Sequence, residues 1–324
     1  MKKTIWGVIG CSSFARRRTI PAMLASPSVQ LLGVASRSIE MSEAFGKEFN
    51  LPRSFGSYEE MLEDSRIQAV YIPLPNGLHK EWIIRAAESG KHILCEKPLT
   101  SNAAEAAQVA EVAARTGVRI MEAFMWRFHA QHLRAKEALQ SGTIGSLRLL
   151  RSSFSFLLDR IPNVRFSPQL AGGSILDVGC YPVSAARFYF QDEPRSVFAR
   201  GRFDQEFKVD MGMEGIMDFS QGRAMIDCAF DLPYFTNLEL VGEKGVIKIP
   251  RPWRPEEETV IVINDQPETL RDRSQYVSQF EHFSHCISSG VAPLYGPGDS
   301  MLQMRALDAI FRSIRSGSTV EVVP

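Results

Sequence analysis

The sequence has few of the features that mark a secreted, membrane-bound or nucleic-acid-binding chain. Its five cysteines (Cys11, Cys95, Cys180, Cys228 and Cys286) are odd in number, scattered, and form no CxxC pair. A disulfide framework is therefore not expected, and a reduced, cytoplasmic setting is. No window is apolar for long enough to span a bilayer. The run from Met1 to Gly10 begins like a signal peptide, but a glycine turn and Arg16, Arg17 and Arg18 follow too soon for a secretory segment. Lys+Arg and Asp+Glu are both 37, so no overall field steers the chain to nucleic acid or an anionic membrane. A Gly-x-Ser-x-Gly elbow and a Walker loop are both missing, which argues against hydrolase and kinase chemistry.

What is present is a chain of 324 residues with 44% hydrophobic content, enough for one large or two ordinary cores. In the first third, apolar strands (Thr4 to Gly10, Gln30 to Ser36, Ala69 to Ile72, Ile93 to Cys95, Val118 to Met121) alternate with helical stretches. The helices fall around Arg16 to Ala25, Met41 to Phe49, His79 to Ser89 and Ala103 to Thr116. That alternation implies βαβ units on a parallel sheet. After about Phe124 a helix (Phe128 to Ser141) leads into long alternating segments without intervening helices. These are Leu147 to Phe156, Ser196 to Phe203, Gly212 to Asp218, Arg223 to Phe230, Asn237 to Leu240, Val246 to Ile249 and Thr259 to Ile263. Helices near Val277 to Ser288 and Ser300 to Arg315 and a strand at Thr319 to Val323 close the chain. The expected fold is an α/β Rossmann domain over 1–123, then an α+β domain with a large, mostly antiparallel open sheet over 124–324.

Gly7-Val8-Ile9-Gly10-Cys11-Ser12-Ser13-Phe14-Ala15 joins the first strand to the first helix. A dinucleotide turn needs a glycine where the strand turns, a small residue where backbone meets pyrophosphate, and another where helix packs on strand. Gly10, Ser12 and Ala15 take those places beside Phe14, with the helix dipole favouring phosphate. Ser12 replaces the usual second glycine, and an ordinary βα turn of small residues would read alike. The second strand ends Val34-Ala35-Ser36-Arg37-Ser38, without the acid that holds the ribose 2′-hydroxyl in NAD sites. Ser36 can hydrogen-bond a 2′-phosphate, and Arg37 can pair with it or stack on adenine. NADP(H) is thus expected over NAD(H), against the bland reading of a solvated loop arginine.

Three further stretches carry candidate chemistry. Pro73 and Leu74-Pro75-Asn76-Gly77-Leu78-His79 follow the fourth strand, at the edge where doubly wound sheets bind ligands. Pro73, Leu74, Asn76 and His79 are assigned to the cofactor; the plainer readings make Asn76 a helix cap and His79 a packed residue. Cys95-Glu96-Lys97-Pro98 ends the fifth strand. The Lys97 ammonium could lower the pKa of a neighbouring hydroxyl or bind a substrate oxygen, and Glu96 could hold the nicotinamide ribose or orient Lys97. A surface Glu–Lys pair is the alternative. The third is Gly172-Gly173-Ser174-Ile175-Leu176-Asp177-Val178-Gly179-Cys180-Tyr181. On a helix, Asp177 and Tyr181 share a face, a carboxylate and a phenol suited to proton transfer. A tyrosine that ordinarily titrates near ~10 needs a cation to act at neutral pH, which Lys97 could supply. The alternative is a helix contact with Tyr181 packed in the core. Arg127 borders the chemistry or merely joins the domains; with Arg160 and Arg165 it could contact a charged substrate. His129 and His132, like His282 and His285, sit three apart without an accompanying Cys or acidic cluster, so no metal is expected.

Together these stretches resemble the Gfo/Idh/MocA family of NAD(P)-dependent oxidoreductases over essentially the whole chain. The carriers are the Gly10/Ser12/Ala15 turn, Glu96-Lys97-Pro98, Met121 to His129, and Gly172 to Tyr181. The resemblance implies Lys97 and Tyr181 as the proton-transfer pair, Asp177 as a supporting carboxylate, a cis Lys97–Pro98 peptide, and an open sheet used for dimerisation, as a homodimer or dimer of dimers. Met121 to His129 resembles the xylose and dihydrodiol dehydrogenase branch, whereas Gly10 to Arg18 resembles the sugar 3-ketoreductases. The implied activity is hydride transfer at a carbinol carbon of a sugar or polyol. The alternatives are a nucleotide-sugar 3-ketoreductase or a non-catalytic NADP-binding sensor.

Overall fold

The computed structural model describes residues 3–160 and 163–323; Met1 and Lys2, which open the leader-like run, lie outside them. The chain divides into two compact units, Met1–Met125 with Arg273–Met301, and Trp126–Asp272 with Leu302–Pro324.

The first unit holds six parallel strands: β1 (Thr4–Ile9), β2 (Val29–Ala35), β3 (Arg53–Phe55), β4 (Ala69–Ile72), β5 (His92–Cys95) and β6 (Ile120–Glu122). Their spatial order is β3-β2-β1-β4-β5-β6, the doubly wound arrangement. Strand β4 is buried at every position, as a strand covered by helices on both faces must be. Helices α1 (Ile20–Ala25), α2 (Ile39–Glu48), α3 (Tyr58–Glu63), α4 (His79–Glu88) and α5 (Ala103–Thr116) supply the crossovers. Helix α5 starts where the sequence says it should because Asn102 accepts from the Glu105 amide (2.9 Å), while Glu105 accepts from the Ser101 amide (3.0 Å). The strand order brings the C-terminal ends of β1, β2, β4 and β5, and hence Gly10, Ser36, Pro73 and Glu96, to one edge.

The second unit begins with α6 (Ala130–Gln140) and β7 (Leu147–Ser155). Helix α7 (Cys180–Phe190) follows, then β8 (Ser196–Phe203), β9 (Asp210–Asp218), β10 (Arg223–Ala229), β11 (Phe235–Gly242), β12 (Val246–Ile249), β13 (Glu258–Ile263) and β14 (Gln266–Arg271). With β15 (Val320–Glu321) they form one sheet in the order β14-β13-β12-β11-β7-β10-β9-β8-β15. It is antiparallel except where β10 pairs with β7. The helix-free stretch read from the sequence does not hold: α7 lies inside it. Every residue from Cys180 to Tyr189 is buried, so α7 lacks the polar face that gives an amphipathic period. Strand β14 went unread for the opposite reason, since Gln266–Arg271 has no buried position and thus no alternation. It forms because Asn264 and Asp265 both take positive φ (51° and 60°), closing a two-residue hairpin onto β13.

The division is not the linear split at 123/124. Residues 273–301, read as part of the second domain, belong to the first unit. Helix α8 (Gln275–Ser289) there packs Phe280 and Phe283 on Trp6 of β1, at centroid separations of 5.4 and 5.8 Å. The Trp6 indole N–H donates to Ser284 Oγ (3.2 Å). Helix α9 (Pro297–Ser316) precedes the closing strand.

Candidate active site

The glycine turn after β1 is built for close backbone approach. Gly10 sits at φ +110°, and a Cβ there would come within 2.7 Å of Leu74 Cδ2. Ser12 Oγ accepts from the Ala15 amide (3.0 Å), capping a helix that begins at Ser13 and runs in π register over Ala15–Thr19 before becoming α1. Such a π turn is frequent at functional sites. The turn thus fits a dinucleotide, with small residues where the pyrophosphate passes and helix amides to receive it. Ser36 is buried and accepts from the Ser38 amide (3.3 Å), whereas Arg37 is exposed. Sequence reasoning missed Tyr58, whose phenol is pushed up by burial while a hydrogen bond and charge from Arg37 oppose the rise. Cys11, in the same turn, is driven to about 11 by burial despite Arg16, so its thiol stays protonated.

Beyond β4, a 3-10 turn over Asn76–Leu78 leads into α4, which starts at His79 with Leu78 at its N-cap position. His79 is fully buried, with Nδ1 2.8 Å from the Pro98 carbonyl oxygen and Nε2 2.8 Å from that of Leu74. Burial holds its pKa below the usual imidazole range, against both carbonyls. It braces two loops of the ligand edge and presents neither nitrogen to solvent. Glu96 Oε1 accepts from Tyr71 Oη (2.6 Å). Tyr71 is fully buried, and burial, then the Glu96 charge, push its pKa well above the phenol range, so it remains a donor. Lys97 is half-buried, and its peptide to Pro98 is cis, as the resemblance implies.

In the second unit the Gly172–Tyr181 segment is not a plain α-helix. Ile175–Gly179 is a π turn feeding α7, so α-helical spacing does not by itself relate Asp177 to Tyr181. Asp177 Oδ2 instead accepts from Arg165 Nε (2.5 Å), and its charge raises the pKa of Arg165. Tyr181 is 5% exposed, its ring 5.3 Å from that of Phe154 and 5.4 Å from that of Trp253. Trp253 is pinned by donating Nε1–H to the Ser153 carbonyl (3.1 Å). The segment is anchored by Asp210, a buried carboxylate accepting from Ser174 Oγ (2.7 Å) and the Ile175 amide (2.6 Å). Gly173 takes φ +103° there, and a Cβ would fall on the Asp210 carboxylate. Neither Trp253 nor Asp210 was foreseen; Trp253 stands in a Pro-Arg-Pro-Trp-Arg-Pro loop whose only signal was its composition.

The arginines read as substrate contacts are engaged internally. Arg127 is buried and donates to Ser184 Oγ (2.7 Å); Arg160 pairs with Asp204 (2.5 Å). His132 is enclosed, with Nε2 2.7 Å from the Pro252 carbonyl and Nδ1 2.9 Å from Tyr189 Oη. His129 lies 4.0 Å from Asp272. Among the described residues no group of three His, Cys, Asp or Glu side chains could hold a metal ion. No helix among the described residues is long and apolar enough to cross a membrane.

Comparison with known families settles the lineage. The model of the "Oxidoreductase family, NAD-binding Rossmann fold" matches residues 5–124, and the "GFO/IDH/MocA C-terminal domain" matches residues 132–248. This chain belongs to the GFO/IDH/MocA oxidoreductase family. It is 35% identical to D-xylose 1-dehydrogenase (NADP(+)) 2 of Haloferax volcanii, covering 98% of this chain and 99% of that one. The aldose-aldose oxidoreductase of Caulobacter crescentus, crystallised with glycerol, superposes with a TM-score of 0.92 at 25% identity, covering 99% and 100%. A 3-ketoreductase of Actinomadura kijaniata, crystallised with NADP and TDP-benzene, gives 0.90 at 31% identity over 96% and 98%. As a GFO/IDH/MocA protein the chain is an NAD(P)-dependent oxidoreductase, with a parallel Rossmann sheet followed by a mostly antiparallel one.

Proposed function

We propose that this GFO/IDH/MocA chain is an NADP(H)-dependent dehydrogenase acting on a CH–OH group of a free sugar or related polyol. The observation that carries the reading is the near end-to-end similarity to an NADP-dependent D-xylose dehydrogenase. The β2 tip supports the cofactor preference, since Ser36 and Arg37 stand where an NAD site carries an acid. Gly10, Ser12, Phe14 and Ala15 would hold the pyrophosphate, Ser36 and Arg37 the adenosine end, and Pro73, Leu74, Asn76 and Glu96 the nicotinamide half. His79 would act through the Leu74 and Pro98 carbonyls.

The nicotinamide, when bound, accepts or donates the hydride. During oxidation Tyr181 Oη, as a phenolate favoured by the Lys97 ammonium, takes the substrate hydroxyl proton, and during reduction it returns that proton as a phenol. Lys97 Nζ holds the negative charge that this leaves on oxygen. Asp177 and Arg165 bind neighbouring hydroxyls; as a paired carboxylate and guanidinium they suit a neutral polyol better than a diphosphate. Two crystallised variants of the A. kijaniata ketoreductase replace a lysine or a tyrosine, in keeping with a lysine–tyrosine pair. That protein's complex with TDP-benzene also favours a second reading, a nucleotide-sugar 3-ketoreductase. The outward positions of β9 and β10, among them Ile216 and Met225, are exposed and are proposed to meet a second copy. The setting proposed is cytoplasmic.

The test is absorbance at 340 nm with NADP and NAD against free aldoses, cyclic diols and nucleotide-linked sugars. Turnover of a free pentose or hexose with NADP supports the reading. Turnover of nucleotide-linked sugars alone moves it to the ketoreductase, and NADP binding without turnover moves it to a sensor. Lys97→Ala should abolish turnover with NADPH binding intact; retained activity refutes the role given to Lys97.

A further inference from the structure

The peptide between Pro98 and Leu99 is gripped at both its polar ends by buried side chains. Its carbonyl oxygen lies 2.8 Å from His79 Nδ1. Its N–H donates to Glu122 Oε1 at 3.0 Å. The other carboxylate oxygen, Oε2, accepts from Ser300 Oγ at 2.7 Å. His79, Leu99 and Ser300 are fully buried and Glu122 is 2% exposed, so no water competes for these bonds. The elements involved are distant in sequence: His79 opens α4, Glu122 ends β6, and Ser300 lies in α9. All belong to the first unit.

The consequence falls on Lys97. The proline ring fixes φ of residue 98, and the orientation of the clamped peptide fixes its ψ. With both dihedrals set, the position of the Lys97 Cα, from which its side chain leaves the backbone, is set too. We propose that Glu122, supported by Ser300 and opposed by His79, is a positioning residue that holds Lys97 for proton transfer by locking the Pro98–Leu99 peptide. The kinetic part rests on the role proposed above for Lys97; the clamp itself does not.

The experiment uses the full chain with Glu122→Met, which keeps length and loses both acceptors, and Glu122→Gln, whose Oε1 can still accept from Leu99. Two quantities are read. The first is the acetylation rate of Lys97 relative to Lys248 by mass spectrometry, which needs no turnover. The second is kcat and KM for the oxidised sugar, per site able to bind NADPH. Glu122→Met should speed Lys97 acetylation severalfold and lower kcat about 10- to 100-fold, with KM for NADP within about twofold. Glu122→Gln should restore both towards the parent. A purely structural role would lower the fraction of NADPH-binding sites and leave kcat per site alone. Unchanged acetylation in Glu122→Met, or unchanged kcat beside faster acetylation, overturns the proposal. Faster acetylation in a protein whose parent oxidises no sugar upholds the clamp and refutes the proposed reaction instead. Should Glu122→Met not fold, Ser300→Ala removes one bond to the same carboxylate, and smaller changes in the same direction are required of it.

Discussion

Acidification should expose His132. Its neutral form is satisfied: one nitrogen donates to the Pro252 carbonyl and the other accepts from Tyr189, while the ring stacks on Trp253. Burial is the main reason its pKa falls from 6.5 to about 3. The native state thus binds this proton less readily than the unfolded chain does. A group depressed in this way contributes stability that is present above pH 6.5 and lost as pH falls towards 3. Between pH 8 and pH 5 the loss amounts to about 2 kcal/mol, with a limiting slope of about 1.4 kcal/mol per pH unit. Other groups titrate in the same range, so the comparison is with His132→Phe, which cannot protonate. That variant should be less stable at pH 8 by about 1–3 kcal/mol, because Tyr189 and the Pro252 carbonyl lose their partner. The gap should narrow by about 2 kcal/mol on moving to pH 5. Urea unfolding followed by tryptophan fluorescence at pH 5, 6, 7 and 8 measures it. A gap that stays constant across that range would refute the assignment of a neutral, acid-labile His132.

Two further outcomes follow from the geometry. Gly173→Ala combines a left-handed backbone with a Cβ driven onto Asp210, and should cost about 2–4 kcal/mol in thermal unfolding; a variant within about 0.5 kcal/mol of the parent would show that the segment can shift freely. Arg37→Ala should raise KM for NADP about tenfold through a lost charge-assisted bond, and leave KM for NAD nearly unchanged. Equal losses with both cofactors would place Arg37 away from the 2′-phosphate.

The sequence was most readable where chemistry needs particular residues at fixed places along one strand edge. The glycine turn and the Glu96-Lys97 pair follow from local rules, and the parallel sheet from the βα alternation. What it hid depends on long-range burial. Tyr71 reads as one more apolar residue of β4 until Glu96 is seen at its hydroxyl. Asp210 looks like a solvated strand residue until Ser174 and Ile175 turn their donors to it. The register change at Ile175–Gly179 has no composition signal, so α-helical spacing alone does not relate Asp177 to Tyr181. Arg165 reads from the sequence as an arginine that could contact a charged substrate, and its pairing with Asp177 is visible only in the structure.

The return of residues 273–301 to the first unit orders events during synthesis. Trp6 emerges from the ribosome early, but its edge partners Phe280 and Phe283 and its hydrogen-bond acceptor Ser284 come some 270 residues later, a separation read directly from their numbers. At about 5–20 residues per second that is an interval on the order of tens of seconds. Until then the Trp6 indole of β1 lacks these aromatic and hydrogen-bond partners. The nucleotide-binding half, although first to be made, is completed only after the whole intervening sheet has been translated.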